Sequence, residues 1–373
     1  MTETSQIKAL VQFLGTLKRE RTLHTVILFV TSHCNARCRT CFYWQDLNRP
    51  GDLTFDELAE LSRTMPPFTQ LLLSGGEPTL REDVPEIVHL FSVNNGIRSL
   101  NFPTNGLKPE RTREFIRRFL EENPGLTVYL NFSVDGLEAT HDRVRAVPGN
   151  FRKAEEAIQL VQPLRSRFGH RLWVGINSVI CRENYRELIP LAEYFLEKGW
   201  LDGHYFQIIR GDPLDPTLLP IPAEDLRLLY REITRIQQIY AQRAFANDHR
   251  AARWFKQMIY VGTFAFHHRV QLANYVSHRP WPMPCTAGET SLVIDYNGDV
   301  RACELRNRLG NLRDYGMNFS AFWESAVRQQ ELRAIAEEKC FCTHVCFLHD
   351  SLRFSLKAQL VGIPLSYLQR HRF

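Results

Sequence analysis

The sequence predicts an α/β fold: six parallel strands alternating with helices, then a small cysteine-rich extension of β-hairpin and helix. Three observations carry this. Apolar, β-branched runs of strand length recur between helix-like segments. Polar residues of unusual type gather just after those runs. The texture then changes after Pro280-Trp281-Pro282-Met283-Pro284, where a hairpin signal and five of the nine cysteines follow.

In order, the strand-like runs are Thr25–Val30, Gln70–Ser74, Ser99–Pro103, Thr127–Val134, Leu172–Ile180 and His204–Ile209. Helix-like segments lie near 54–64, 83–94, 109–122, 150–167 and 184–198. The first opens on Thr54-Phe55-Asp56-Glu57, a capping box whose hydroxyl and carboxylate can satisfy free N–H groups at the helix start. The third begins with Pro109, at a position where no N–H is needed. Such alternation implies a parallel sheet with right-handed crossovers, either doubly wound or curled into part of a barrel. In both cases ligands sit at the carboxyl ends of the strands.

The unusual residues obey that rule. Cys34, Cys38 and Cys41 follow the first run, and Gly75-Gly76-Glu77-Pro78 follows the second. Thr104-Asn105-Gly106 follows the third, Ser133 and Asp135 end the fourth, and Arg210-Gly211 ends the sixth. Residues 222–275 read as mainly helical. Ser291–Asp295 and Val300–Cys303, joined by Asn297-Gly298, read as a hairpin. Four regions are therefore expected: an N-terminal helical segment (1–24), a core (25–215), a helical region (216–275) and a cysteine-rich domain (276–373).

Net charge is +5 and charged residues make up 23% of the chain, a mild basicity spread along its length. No dense basic run marks a nucleic-acid surface. No apolar run reaches the roughly 18 residues that span a bilayer. The first seventeen residues lack the pattern of a secretory signal, so a cytoplasmic protein is expected. In that compartment clustered cysteines read as metal ligands rather than disulfides. Cys181 stands alone after an apolar stretch and reads as a buried core thiol.

Cys34-Asn35-Ala36-Arg37-Cys38-Arg39-Thr40-Cys41 places three thiolates within eight residues. Structural zinc wants four ligands, usually as two pairs. Three thiolates on one loop suit a [4Fe–4S] cubane with one iron left without a protein ligand. That iron can chelate the amino and carboxylate groups of S-adenosylmethionine and pass an electron to its sulfonium.

The C-x3-C-x2-C spacing resembles the radical S-adenosylmethionine superfamily. Ser74-Gly75-Gly76-Glu77-Pro78 is similar to its Gly-Gly-Glu-Pro motif. Thr104-Asn105-Gly106, and Ser133-Val134-Asp135-Gly136 with His141-Asp142-Arg143-Val144-Arg145, are similar to its third- and fourth-strand segments. The resemblance covers roughly residues 25–215 and again the C-terminal third. It implies a partial (βα)6, TIM-like barrel and a [4Fe–4S] cluster on Cys34, Cys38 and Cys41. It also implies bound S-adenosylmethionine, a 5′-deoxyadenosyl radical, and an external electron donor such as flavodoxin or ferredoxin. One departure is Thr40, where the family usually has an aromatic residue near the adenine; Phe42 and Tyr43 follow it.

The resemblance suggests roles. Gly75 and Gly76 let the backbone approach the methionine moiety closely. Glu77 accepts from its ammonium. Ser133 and Asp135, two apart on a strand, bond ribose hydroxyls or act as strand-end caps. Arg145 pairs with the methionine carboxylate or forms a structural ion pair. Asn105, Asn177 and Arg210 are further candidates for the methionine or ribose end, while His141 and Asp142 brace the loop.

Cys285, the Gly298-x4-Cys303 hairpin and Cys340-Phe341-Cys342-Thr343-His344-Val345-Cys346 resemble a SPASM or twitch extension. That implies one auxiliary [4Fe–4S] cluster on Cys285, Cys303, Cys346 and either Cys340 or Cys342, with zinc on the same thiolates as the rival. The tail from Leu352 reads as a helix docked on the body, or one lying on a membrane or a partner helix. A small-molecule substrate is expected, since only two dozen residues precede the first strand and leave no room for a peptide-recognition domain. Peptide or protein maturation is the alternative. A molybdenum-cofactor-type cyclisation would imply a terminal glycine pair where this sequence has Arg-His-Arg-Phe. A non-catalytic iron–sulfur or zinc scaffold is the remaining reading.

Overall fold

The computed structural model describes residues 21–373. Nearly all of the expected N-terminal helical segment lies outside them. The described chain divides into two compact units, residues 23–220 with 287–334, and residues 221–286 with 335–373.

The first unit is built on β1 (Thr25–Thr31), β2 (Gln70–Gly75), β3 (Ser99–Thr104), β4 (Thr127–Ser133), β5 (Leu172–Ile180) and β6 (Gly203–Ile208). Between them run α1 (Phe55–Thr64), α2 (Val84–Asn95), α3 (Pro109–Glu122), α4 (Glu138–Arg145), α5 (Asn150–Leu160), α6 (Gln162–Phe168) and α7 (Leu188–Lys198). The six strands are parallel and lie in the order β6-β5-β4-β3-β2-β1, as expected for a partial barrel.

The sheet does not end at β1. β7 (Ser291–Ile294) pairs with it in parallel, and β8 (Asp299–Arg301) and β9 (Arg308–Asn311) continue antiparallel. The expected hairpin is present, with Gly298 at φ +88° in its turn. β7–β9, which lie beyond the boundary expected at 276, extend the core sheet. The sheet stays open, with β6 and β9 as its edges.

Burial explains the strand sequences. Every residue of β1 is buried, as suits a central parallel strand covered on both faces. β3 and β4 alternate instead. Phe102 turns outward onto Phe115 and Phe119 of α3, which leaves Asn101 and Pro103 on the inner face. The capping box forms as predicted: Thr54 Oγ1 accepts from Glu57 N at 3.2 Å, and Thr54 N donates to the Glu57 carboxylate at 2.8 Å.

The second unit is helical. α8 (Ala223–Ala244) and α9 (Arg250–Ser277) pack together through buried Tyr230, Ile233, Val261 and Ala265. The chain also forms α10 (Phe319–Trp323) and α11 (Ala326–Glu337). α12 (Val345–Arg353) leads through a π-helical turn (Ala358–Gly362) into α13 (Ile363–Leu368). The tail thus docks on α9. Contact is close there: a Cβ on Gly262 would lie 2.7 Å from the Ile363 carbonyl oxygen, and one on Gly362 would lie 2.6 Å from the Phe266 ring.

Candidate active site

The loop after β1 is pinned from several sides. Asp52 accepts from Thr31 Oγ1 and, at 3.0 Å, from Ser32 N. Asn48 Oδ1 accepts from Cys34 N at 3.0 Å, and Cys41 N donates to Cys38 O at 3.0 Å. Leu214 N donates to Cys41 O at 3.0 Å, so the segment after β6 holds the third cysteine. Arg39, between the second and third cysteines, is ion-paired to Asp215 at 2.8 Å and to Glu183. These ties pre-organise the cysteine backbone before anything binds.

The three thiols are half-buried. Burial pushes Cys34 up to about 12 and Cys41 up to about 11; Arg145 and Arg210 partly offset this at Cys41. Such thiols ionise only against a strong positive charge, which iron supplies. Among the described residues no three His, Cys, Asp or Glu side chains converge to hold a single metal ion. A cubane asks each thiolate to bind its own iron instead. The donor set therefore fits a cluster.

The Gly-Gly-Glu turn lies directly against this loop. Gly76 N donates to Thr31 O and Glu77 N to His33 O, both at 2.8 Å. A Cβ on Gly75 would sit 2.3 Å from Thr31 O, and one on Gly76 would sit 2.0 Å from His33 O. The glycines are thus required first by the neighbouring backbone, a reason the sequence reading did not find.

Glu77 is buried and hydrogen-bonded to the ends of the neighbouring strands. Oε1 accepts from Thr79 N, Thr79 Oγ1 and Thr104 Oγ1 at 3.2, 2.7 and 2.8 Å, and Oε2 accepts from Asn105 N at 2.7 Å. The carboxylate braces the ends of β2 and β3, with three of its bonds on Oε1 and one on Oε2. Burial raises its pKa, against which these hydrogen bonds act. Asn105 reaches the cysteine loop itself, donating to Asn35 Oδ1 at 2.8 Å.

Asp135 and Arg145 form the structural ion pair that the sequence left open for Arg145. β4 ends at Ser133, so Asp135 does not share its strand face. The Asp135 carboxylate is fully buried and accepts from Val179 N at 2.7 Å, and it pairs with Arg145 Nε at 2.7 Å. It thereby aims the Arg145 guanidinium. Arg145 in turn extends Nη1 to 3.7 Å from Cys38 Sγ. Ser133, half-exposed at the end of β4, remains on the inner face. His141 Nδ1 accepts from Asp135 N at 3.0 Å, and Asp142 accepts from Gly149 N and Phe151 N at 2.5 and 2.9 Å, so both hold the loop.

Arg210 stacks over Phe42 at 4.6 Å, donates to Gln207 Oε1 at 2.6 Å and pairs with Glu304 at 3.2 Å. It joins the cysteine loop to the turn that carries Cys303, rather than standing free for a ligand.

On the inner face of β3–β6 the sequence reading had named only Ser133 and Asn177. Asn131 donates to Asn101 Oδ1 at 2.9 Å, and its own Oδ1 is buried with no protein partner. Tyr129 and Trp173 stack at 6.3 Å. The space beside Gly175 is taken by Tyr205 and Asn131. Gln207 and Asn177 complete the lining, and no residue on this face of the four strands is charged. Polar amides alternating inside otherwise apolar runs were the available signal.

Cys303 lies in the turn after β8, in the first unit. Cys285, Cys340, Cys342 and Cys346 belong to the helical unit. There Trp281 Nε1 donates to Cys342 O at 2.8 Å, Gln271 Nε2 to Thr343 O at 2.6 Å, and Thr286 N to Ser351 Oγ at 3.0 Å. These bonds fix the segment bearing Cys285 and the loop bearing Cys342 onto α9 and α12.

Comparison with known proteins agrees with this geometry. The Radical SAM superfamily profile matches residues 28–195, and the profile of an iron–sulfur cluster-binding domain, SPASM, matches residues 285–346. A GTP 3′,8-cyclase of Stenotrophomonas maltophilia (strain R551-3) is 36% identical over 289 residues, covering 76% of this chain and 75% of its own. An AdoMet-dependent heme synthase of Methanosarcina barkeri is 30% identical over 212 residues, 54% of this chain and 55% of its own. A solved structure, anSMEcpe with bound AdoMet and Cp18Cys peptide, shares the fold at a TM-score of 0.59 and 16% identity, covering 93% of this chain and 95% of the other. The chain belongs to the radical S-adenosylmethionine superfamily, as an enzyme with a SPASM extension that uses a [4Fe–4S] cluster, S-adenosylmethionine and auxiliary iron–sulfur chemistry.

Proposed function

We propose that this enzyme removes a hydrogen atom from a neutral, ring-bearing small molecule bound on the inner face of β3–β6. With its cluster and S-adenosylmethionine in place, the site supplies the 5′-deoxyadenosyl radical that does this. The residues of the chain bind and orient. Cys34, Cys38 and Cys41 hold the cluster. Arg145, aimed by Asp135, offers its remaining guanidinium N–H groups to the cluster edge and to a carboxylate there. Gly75, Gly76 and Asn105 shape the loop on which the methionine end rests, and Ser133 is the strand-end hydroxyl for the ribose. Cys285, Cys303 and Cys346, with Cys340 or Cys342, hold one auxiliary cluster. Flavodoxin or ferredoxin is the proposed electron donor, in the cytoplasm; among the described residues no helix is long and apolar enough to cross a membrane.

The observation that carries the substrate reading is the uncharged lining. A nucleoside triphosphate calls for several cationic partners, and this face offers amides and aromatic rings instead. Amides pair with neutral donors and acceptors, and stacked Tyr129 and Trp173 present a platform for a ring. Peptide amides would meet the same lining, and the peptide-bound solved structure keeps that second reading in play.

The test uses anaerobically reconstituted enzyme with dithionite and S-adenosylmethionine. Cell metabolites below about 1 kDa are split on an anion exchanger, and 5′-deoxyadenosine is measured. The neutral flow-through should stimulate its release, and Asn131→Leu should abolish the stimulation while leaving the unstimulated rate. Stimulation by the anionic fraction alone, or by peptides alone, contradicts the reading.

A further inference from the structure

α13 is apolar on two opposite faces. Ile363 and Tyr367 are buried against α9. On the other side Leu365 and Leu368 are exposed, with Leu368 at 72%, and so are Leu360 and Val361 of the preceding π-helical turn. Trp254, on α9, is 6.4 Å from Tyr367 ring to ring and 56% exposed. A helix apolar all round is normally covered, and an exposed apolar group of this size marks an interaction surface.

Charge identifies what covers it. α9 and residues 351–373 carry four Lys or Arg each and not one Asp or Glu. Some of these cations are engaged locally: Lys256 pairs with Asp248, and Arg269 donates to the Gln369 and Arg372 carbonyls. Such bonds to carbonyls leave the positive charge in place. An exposed Leu/Val row, an exposed tryptophan and two segments that carry cations and no acid together match the surface of an anionic bilayer. A protein partner would be met with charges of both signs around an apolar centre, whereas these two segments supply positive charge alone.

We propose that α13 and Trp254 dock the enzyme on an anionic lipid surface. Leu360, Val361, Leu365 and Leu368 enter the headgroup–acyl boundary, while the basic residues of α9 and the tail face the headgroups. The docking is peripheral and reversible, because its apolar area is a few side chains and its electrostatic part is screened by salt.

Reconstituted enzyme is sedimented with vesicles of phosphatidylcholine containing 30% phosphatidylglycerol and with vesicles of phosphatidylcholine alone. Binding should be at least about tenfold stronger to the anionic vesicles and should fall in 0.5 M salt. Val361→Asp with Leu365→Asp should weaken it about tenfold or more. Both positions are exposed, so 5′-deoxyadenosine formation in solution should be unchanged and serves as the check on folding. Trp254 emission, isolated as the difference between the chain and its Trp254→Phe variant, should shift to the blue on anionic vesicles. Equal binding to both vesicles, or none, overturns the proposal. So does a dimer in solution that the same aspartates dissociate, since a second copy would then own this face.

Discussion

The pair Asp135–Arg145 shows how one buried contact sets a site. Asp135 has no exposed surface, and its partner is nearly as buried. Asp135→Asn leaves a guanidinium buried without its counter-charge, at roughly 3–5 kcal/mol. Urea unfolding of the apoprotein should show a loss of that order, together with weaker S-adenosylmethionine binding as Arg145 loses its aim. His141 gives a pH signature. Burial, with Arg145 nearby, holds it down to about 4 against an ordinary 6.5, and its unprotonated Nδ1 accepts the Asp135 N–H. A lowered folded pKa means stability that is whole above about 6.5 and is lost as pH falls through about 4, about 3 kcal/mol in full. Apoprotein unfolding followed from pH 7 to 4 should therefore fall more steeply than in His141→Gln. The cysteine triplet was legible in the sequence because its ligands are neighbours on one loop. The commitments of Glu77 and Asp135 were not, because Thr104, Asn105, Val179 and Arg145 reach them only through the folded sheet.

At the scale of elements, what depends on near neighbours was readable. The capping box at α1 is an example: Thr54→Ala should cost about 1 kcal/mol in the same unfolding measurement. Glu57 of that box is also held by Arg313, at 2.6 and 3.0 Å, which brings it down to about 2 and links α1 to the turn after β9. All six core strands stand where the apolar runs placed them, within a residue or two. α4 was missed: eight residues, rich in charge, carry too little periodic signal, yet they deliver Arg145 to the cluster loop. Of the inner-face amides Asn177 was named, but Asn101 and Asn131 were passed over because they sit singly inside runs whose apolar residues dominate. Only the pleat, which sorts alternate residues to opposite faces, shows that they line one surface.

For the molecule as a whole, the sequence foretold an open parallel barrel and a cysteine-rich end, but not that the hairpin of that end joins the core sheet. β7 joins β1 across more than 260 residues of chain. Composition changes near residue 276, and nothing local announces that the hairpin beyond it will extend the core sheet. The helical unit closes around α9, and the acid-free composition of α9 and the tail became meaningful only when α13 was seen to bury one apolar face and expose another. The account rests on a cluster held by three sulfurs, with its fourth iron open to S-adenosylmethionine. The direct test is electron–nuclear double resonance on the reduced enzyme with S-adenosylmethionine labelled with 15N in the amino group and 17O in the carboxylate. Coupling of both labels to the cluster is the predicted result. A cluster that shows neither coupling and carries a fourth protein ligand would contradict the account.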